Sequence, residues 1–263
     1  MTKISRYLSM VALGLVTALI GSTTALAAPG LQVAAAADLA ICIGELNEVF
    51  AKSAGGTDVK YSIGSSGNFF AQIKNGAPYD VFLSADTYYP RELVKAGLAD
   101  AATLMVYAHG QLMMWTNDPQ VDVSLGWRVL NDPKITRVAL ANPDVAPYGR
   151  AAKAALEKAG LWNALKSKLV FGENVAQTAQ FVETGNAQVG FVGSAHIKKS
   201  GNVPTGRAWQ VPVDLYPLIE QGGIVTAKGK DNPLALKYLA FLRSEAGRGI
   251  LRKYGFALPE DHP

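Results

Sequence analysis

The sequence predicts an α/β fold with two lobes, each a mainly parallel sheet flanked by helices. Short apolar runs of strand length alternate with helical stretches along most of the chain, a pattern typical of strand–helix–strand units. A second series of the same kind begins near Gln111, and the chain returns to an extended segment near Tyr216. We therefore expect the second lobe to be inserted into the first through short hinge crossovers.

The elements of the first lobe follow from local sequence signals. Apolar runs mark the strands, and apolar residues three or four positions apart mark the helices. Asn75 and Gly76 form a turn signal after one helix, and Gly97 is suited to end the next as a C-cap. The expected strands are residues 31–36, 59–63 and 81–84, and the expected helices are residues 38–54, 68–74 and 91–96.

The second lobe shows the same order, after which the chain returns to the first. Gly160 is placed to close one helix, and Gly185 with Asn186 to close another. The expected strands are residues 111–115, 137–141, 169–171, 189–192 and 216–225, and the expected helices are residues 148–159, 175–183, 233–243 and 245–254.

Two short segments, residues 105–112 and 211–216, are interpreted as the hinge crossovers because neither has the composition of a domain linker. This division assigns residues 28–108 and 214–263 to lobe 1 and residues 109–213 to lobe 2.

The N-terminus has the features of a signal peptide. Lys3 and Arg6 precede a mostly apolar run over residues 8–20, and Ala25-Leu26-Ala27 forms an A-x-A cleavage pattern. The run is too short to span about 30 Å of hydrocarbon comfortably. We expect residues 1–27 to be removed near Ala27, leaving an exported, periplasmic protein with no membrane insertion.

The composition of the remaining chain excludes several classes of partner. Without Lys3 and Arg6, 23 basic residues face 21 acidic ones, and no Lys/Arg stripe suggests a nucleic-acid partner. The single cysteine, Cys42, cannot form an intrachain disulfide and lies in an apolar helical pattern, so a buried thiol is expected.

The residues that enzymes and metal sites need are scattered or missing. His109, His196 and His262 lack metal-ligand spacing, and no motif of a nucleophile elbow, P-loop or dinucleotide loop is present. We expect a protein that is not an enzyme and has no metal site and no cofactor.

Four strand-to-helix turns carry the functional signal. A helix N-terminus binds anions through unpaired N–H groups and a partial positive charge, and in open α/β sheets these turns lie at the edge where ligands bind. Any one turn is explained by helix capping, but two come from each predicted lobe, as a closing clamp requires. The turns are residues 35–39, 64–68, 142–149 and 173–175.

The chain resembles the periplasmic molybdate-binding proteins of ABC importers. The resemblance rests on residues 35–39, 64–68 and 253–256, and above all on residues 76–86, Gly-Ala-Pro-Tyr-Asp-Val-Phe-Leu-Ser-Ala-Asp. It implies the type II periplasmic binding protein fold, molybdate or tungstate as the ligand, and an ABC permease with its ATPase as partners. We expect a monomer.

The resemblance places the ligand contacts on Asp38, Ser66, Tyr148 and Val175, the last through its backbone amide. The family often has a tyrosine after the Gly-x-Val strand of the second lobe, but residues 190–193 here are Gly-Phe-Val-Gly. Other members use a tyrosine within an Ala-Pro-Tyr-Gly turn, so we expect the Tyr148 hydroxyl to reach the anion.

Asp38 departs from the family pattern, which has serine there. A carboxylate within about 4 Å of a dianion would repel it by several kcal/mol at an effective dielectric near 20. Three alternatives remain open. The side chain turns away and caps its own helix, or it accepts a hydrogen bond from a protonated oxyanion, or it coordinates the metal centre directly.

Other functions stay open beside molybdate capture. An inward Asp38 would favour a binding protein for phosphate or a phosphonate, because these oxyanions carry a proton at neutral pH. An exported sensory domain is a second alternative, because the same fold serves both transport and sensing. A hydrolase that uses Ser65 or Ser66 is a third alternative, although no histidine lies in the other three turns.

Overall fold

The computed structural model describes residues 30–197 and 206–261. The predicted signal peptide, residues 1–27, and His262 lie outside the described residues. The described part of the chain holds ten strands in two five-stranded sheets. The strands are β1 Leu31–Ala36, β2 Val59–Gly64, β3 Val81–Ser84, β4 Met105–Gly110, β5 Leu112–Thr116, β6 Val138–Ala141, β7 Leu169–Gly172, β8 Val189–Gly193, β9 Arg207–Gln210 and β10 Ile219–Val225.

Helices flank both sheets. They are α1 Ile43–Ser53, α2 Ser66–Lys74, α3 Tyr88–Lys95, α4 Pro147–Lys158, α5 Trp162–Leu165, α6 Val175–Glu183, α7 Ser194–Ile197, α8 Pro233–Leu242 and α9 Glu245–Lys253. No helix in the described ranges has the length and hydrophobicity that a membrane crossing requires.

The two sheets have the same mixed topology. The first sheet runs β2-β1-β3-β10-β4 and the second β7-β6-β8-β5-β9. In each, the first two pairings are parallel and the last two antiparallel. The predicted two-lobed α/β class is confirmed, but the sheets are mixed rather than mainly parallel. The reason is that β10 and β5 reach their sheets from the other sheet, without the helical crossover that parallel neighbours need.

We call the first sheet with its helices lobe 1, and the second sheet with its helices lobe 2. The chain passes from β4 to β5 through Gln111 alone, and it returns between β9 and β10. The predicted crossover at residues 105–112 is mostly strand, because β4 covers Met105–Gly110 and β5 begins at Leu112. The residue limits of the lobes otherwise stay a prediction.

The first predicted helix, residues 38–54, is wrong at its start. Ala37–Leu39 forms a short 3₁₀ turn, and α1 begins only at Ile43. Hydrogen bonds from Ala40 N–H to the Ala37 carbonyl and from Cys42 N–H to the Leu39 carbonyl hold this turn in place. The chain therefore bends immediately after β1.

Each lobe has its own hydrophobic core. In lobe 1, α1, α8 and α9 pack on one face of the sheet around Phe50 and Tyr238, and α2 and α3 pack on the other around Phe69 and Phe82. Alternate residues of β1 enter the two cores, as the period of a strand requires. The Cys42 thiol is buried in the first of these cores.

Lobe 2 is organised around a single large core that contains Trp115 and Phe191. The C-terminal motif at residues 253–256 is tied to lobe 1, because the Tyr254 hydroxyl donates to the Glu45 carboxylate at 2.8 Å. Lys253 pairs with the same carboxylate, which keeps the pKa of Glu45 below its ordinary value.

Tyr238→Phe should lower the free energy of unfolding by about 1–3 kcal/mol, because the buried Asn47 oxygen loses its donor. The Tyr238 hydroxyl lies 2.5 Å from Asn47 Oδ1, and both residues are buried. Urea denaturation measures the change. Tyr61→Phe is the control, since Tyr61 is 47% exposed. Equal stability of the two variants would contradict the prediction.

Candidate functional site

The four turns singled out from the sequence meet at one small cavity. It has a volume of about 10 Å³ and lies where the carboxyl ends of β1, β2, β3, β6 and β7 face one another across the lobes. This space is far smaller than the pockets of about 300–1,000 Å³ that organic ligands occupy. The lining residues are Ala36, Ala37, Asp38, Gly64, Ser65, Ser66, Ala85, Ala146, Pro147, Tyr148, Asn174 and Val175.

The predicted contacts Asp38, Ser66, Tyr148 and Val175 are thus brought together by the structure. Each is buried, with at most 4% of its surface exposed. Their roles toward a ligand stay a prediction.

Two serines at the start of α2 have different functions. Ser65 is the N-cap, and its hydroxyl accepts from the Asn68 N–H at 3.4 Å. The Ser66 hydroxyl oxygen accepts from the Ala85 N–H at 3.0 Å. Because this bond uses a lone pair and leaves the Ser66 proton free to rotate, Ser66 can donate into the cavity.

The two helix starts contributed by lobe 2 also point donors at the cavity. Ala146, at the N-cap of α4, has no side-chain cap, and Pro147 has no N–H. The Tyr148 amide is therefore the first donor of α4, and a helix offers no acceptor to its first amides. At α6, the Asn174 side chain caps Gln177, while Val175 holds the first position.

Tyr148 fills space that two glycines provide. A Cβ at Gly193 would lie 3.0 Å from the Tyr148 ring, and one at Gly110 would lie 2.2 Å from its hydroxyl. Residues 190–193, Gly-Phe-Val-Gly, lack the tyrosine that many family members have at this place. Their last glycine instead leaves room for Tyr148 at the start of α4.

The Tyr148 hydroxyl belongs to a buried polar cluster. Gln221 Nε2 donates to it at 3.4 Å, and the Tyr107 hydroxyl donates to Gln221 Oε1 at 3.4 Å. Burial raises the pKa of both tyrosines well above the ordinary value, and the charge of Asp38 raises it further. Both phenols are therefore neutral donors at physiological pH.

Asp38 is the exceptional member of this site. Its side chain is fully buried, and neither carboxyl oxygen has a hydrogen-bond partner among the described residues. Burial raises the pKa of Asp38 to about 7, although the nearby side chains of Gln221 and Tyr148 lower it in part. Asp38 lies inside the 3₁₀ turn Ala37–Leu39, and the backbone amides of Asp38 and Leu39 also lower its pKa. The three alternatives for its side chain therefore stay predictions.

The lobes touch beside the cavity through hydrogen bonds and an ion pair. The Gly67 N–H donates to the Val145 carbonyl at 2.9 Å, and Asn68 Nδ2 donates to Glu173 Oε1 at 2.8 Å. The Arg150 guanidinium binds the Asp86 carboxylate across the cleft. Burial raises the pKa of Asp86, and the positive charge of Arg150 opposes that rise.

Sequence reasoning missed Gln221 and Arg150. Gln221 is a fully buried polar residue within the apolar strand β10, which was a signal that could have been used. Arg150 carried no such signal, because its partner Asp86 lies on the other lobe.

A larger cavity, with a volume of about 640 Å³, opens beside the small one. Its lining includes the carboxylates of Asp86 and Glu220, the guanidinium of Arg150 and the exposed aromatic ring of Tyr88. Arg150 is paired with Asp86 there.

Two lobes whose helix starts meet at one small cavity are typical of a solute-binding protein. Residues 31–257 match the family described as bacterial extracellular solute-binding protein, and the chain belongs to that family.

The comparisons also confirm the resemblance to molybdate-binding proteins. The chain is 40% identical to the molybdate-binding protein ModA of Azotobacter vinelandii over 227 residues, 86% of this chain and 89% of that one. It is also 40% identical to ModA of Rhodobacter capsulatus over 213 residues, 81% of this chain and 82% of the other.

A solved structure agrees with these matches. The periplasmic molybdate-binding protein of Azotobacter vinelandii superposes with a TM-score of 0.82 at 32% identity, covering 87% of this chain and 99% of that one. The fold class predicted from the sequence is thereby confirmed.

Gly67→Ala should weaken anion capture by about 1–3 kcal/mol, the usual cost of overpacking. A Cβ there would lie 2.9 Å from the Val145 backbone and 2.6 Å from the Tyr89 hydroxyl, so the lobes could not approach fully. Calorimetric titration with molybdate measures the loss. Gly44→Ala is the control, because its Cβ would meet nothing within 4 Å. Equal affinity in both variants would show that this contact does not limit closure.

Proposed function

We propose that this chain is the periplasmic substrate-binding component of an ABC importer, and that it captures molybdate or the equally sized tungstate between its lobes. The observation that carries the proposal is the convergence of helix starts from both lobes on one small cavity. Among the described residues that line it there is no lysine or arginine. Neutral donors therefore provide the recognition.

The proposed contacts are the Ser66 hydroxyl, the backbone amide and hydroxyl of Tyr148, the Val175 amide and Asp38. The anion exchanges its hydration shell for these donors, and the exclusion of water strengthens each hydrogen bond. Donors from both lobes are needed at once, so binding stabilises the closed form. Discrimination against the smaller sulfate follows from the size of the cavity.

The proposal includes the partners and the location. Relatives named as molybdate-binding proteins support a permease and its ATPase as the transport partners. The protein matched in structure is named as periplasmic, which supports export with cleavage near Ala27. We further propose that the chain is a monomer.

We also propose that the chain has no catalytic activity, metal site or cofactor of its own. The matched relatives are named as binding proteins. The Ser66 hydroxyl accepts from a backbone amide, and no histidine lies among the described cavity-lining residues. A serine nucleophile would need such a base.

Molybdate and tungstate should raise the melting temperature by about 8–16 °C at a thousand times their Kd, because that excess adds about 4 kcal/mol of stability. A thermal-shift series with molybdate, tungstate, sulfate and phosphate tests this. Sulfate and phosphate should give no comparable shift. A response to phosphate alone would replace the proposed ligand with a protonated oxyanion.

Ser66→Ala should weaken molybdate binding by about 1–3 kcal/mol, since a buried anion oxygen loses its donor. Isothermal titration calorimetry measures the change. Ser53→Ala is the control, because the Ser53 hydroxyl donates to the Phe50 carbonyl at the end of α1, away from the cavity. Unchanged affinity in Ser66→Ala would place the anion elsewhere.

A further inference from the structure

Asp38 places an acidic side chain in a site built for a negative ligand. It lines the cavity together with the donors of α2, α4 and α6. Its carboxyl group is fully buried, and neither of its oxygens has a hydrogen-bond partner among the described residues. A buried carboxylate without a partner is unfavourable, and an oxyanion beside it would make the ionised form less favourable still.

Among the described residues, the groups that act on the pKa of Asp38 include no cation. The nearby groups that lower its pKa are the neutral side chains of Gln221 and Tyr148 and the amides of Asp38 and Leu39, although none of them lies in hydrogen-bond geometry to its oxygens. Burial, together with the charge of Asp38, raises the pKa values of Tyr107, Tyr148 and Cys42. They stay neutral near pH 7.

Other titratable groups lie on the elements around Asp38. They are Cys42 before α1, Glu45, Glu48 and Lys52 on α1, Lys60 and Tyr61 on β2, Tyr107 and His109 on β4, Tyr148, Arg150, Lys153, Glu157 and Lys158 on α4, Glu183 on α6, His196 on α7 and Glu220 on β10. Of this set, only the two histidines ordinarily change charge between pH 5 and 8.

We propose that Asp38 takes part in oxyanion capture as a neutral acid, so that the protein takes up one proton together with each molybdate. The inference rests on the proposed function. Molybdate carries no proton at neutral pH, so the proton resides on the protein: the ionised Asp38 carboxylate gains H⁺ from solvent, and the resulting O–H donates to a molybdate oxygen. No other bond is made or broken. The protonated Asp38 then donates a hydrogen bond from the position where the family pattern has serine.

The direction of the pH effect follows from linkage. Burial has already raised the pKa of Asp38 to about 7 in the absence of the anion, and a neighbouring dianion raises it further. The value of about 7 belongs to the closed form, in which Asp38 is fully buried. Above pH 7 the proton must be taken up on binding, so affinity falls as pH rises.

The test measures molybdate binding to the mature protein by calorimetry from pH 6 to pH 9. Kd should rise with pH above about pH 7, to a limit of about tenfold per pH unit. At pH 8, titrations in two buffers with different ionisation enthalpies should show the uptake of close to one proton per molybdate. Wild-type binding without proton uptake and without pH dependence would overturn the proposal.

Asp38→Asn separates Asp38 from the two histidines. The amide is neutral at every pH and keeps a donor at the same position, so this variant should bind molybdate with a Kd that does not change between pH 6 and pH 9. If Asp38→Asn kept the wild-type pH dependence, the proton would belong to another group. If the variant fails to fold, the number of protons that the wild-type protein takes up on binding molybdate still tests the proposal.

The outcomes distinguish this inference from the proposed function. Absence of molybdate binding by wild type at every pH would reject the function itself. If phosphate binds without proton uptake, the ionised Asp38 carboxylate accepts a hydrogen bond from the protonated ligand. That result would contradict the neutral-acid role.

Discussion

The structure depends on one constraint: a small anion must be held in a cavity to which none of the described basic side chains contributes. Backbone amides at helix starts meet this constraint because their N–H groups have no partner inside the helix. Parallel strands of both lobes aim these starts at one point. The alanines and glycine that line the cavity, such as Ala36, Gly64 and Ala85, allow the backbone itself to form the walls.

Much of this arrangement could be predicted from the sequence because its signals are local. Asn174 is a good N-cap and starts α6 where expected. Ser65 is also an N-cap, but its helix α2 begins at Ser66, two residues before the predicted start at residue 68. The predicted helix at residues 175–183 matches α6 residue for residue. The convergence of the turns followed from a general rule about the carboxyl edge of parallel strands, and each lobe supplies such an edge.

The features that were not predicted depend on contacts between distant parts of the chain. The antiparallel half of each sheet arises because β10 and β5 reach their sheets from the other sheet, and no local pattern records that path. The ion pair between Arg150 and Asp86 joins two lobes. The 3₁₀ turn before α1 was missed because Asp38 and Leu39 also fit a helical pattern.

The polar cluster around Asp38 joins ligand capture to the position of the lobes. Asp38 belongs to lobe 1, Tyr148 belongs to lobe 2, and Gln221 lies on the strand that returns from one to the other. Burial is the largest cause of the raised pKa of Asp38, and part of that burial comes from Tyr148 across the cleft. Separation of the lobes would admit water to the carboxyl group and bring its pKa back toward the ordinary range. The approach of the lobes and the protonation of Asp38 therefore favour each other, whether or not an anion is bound.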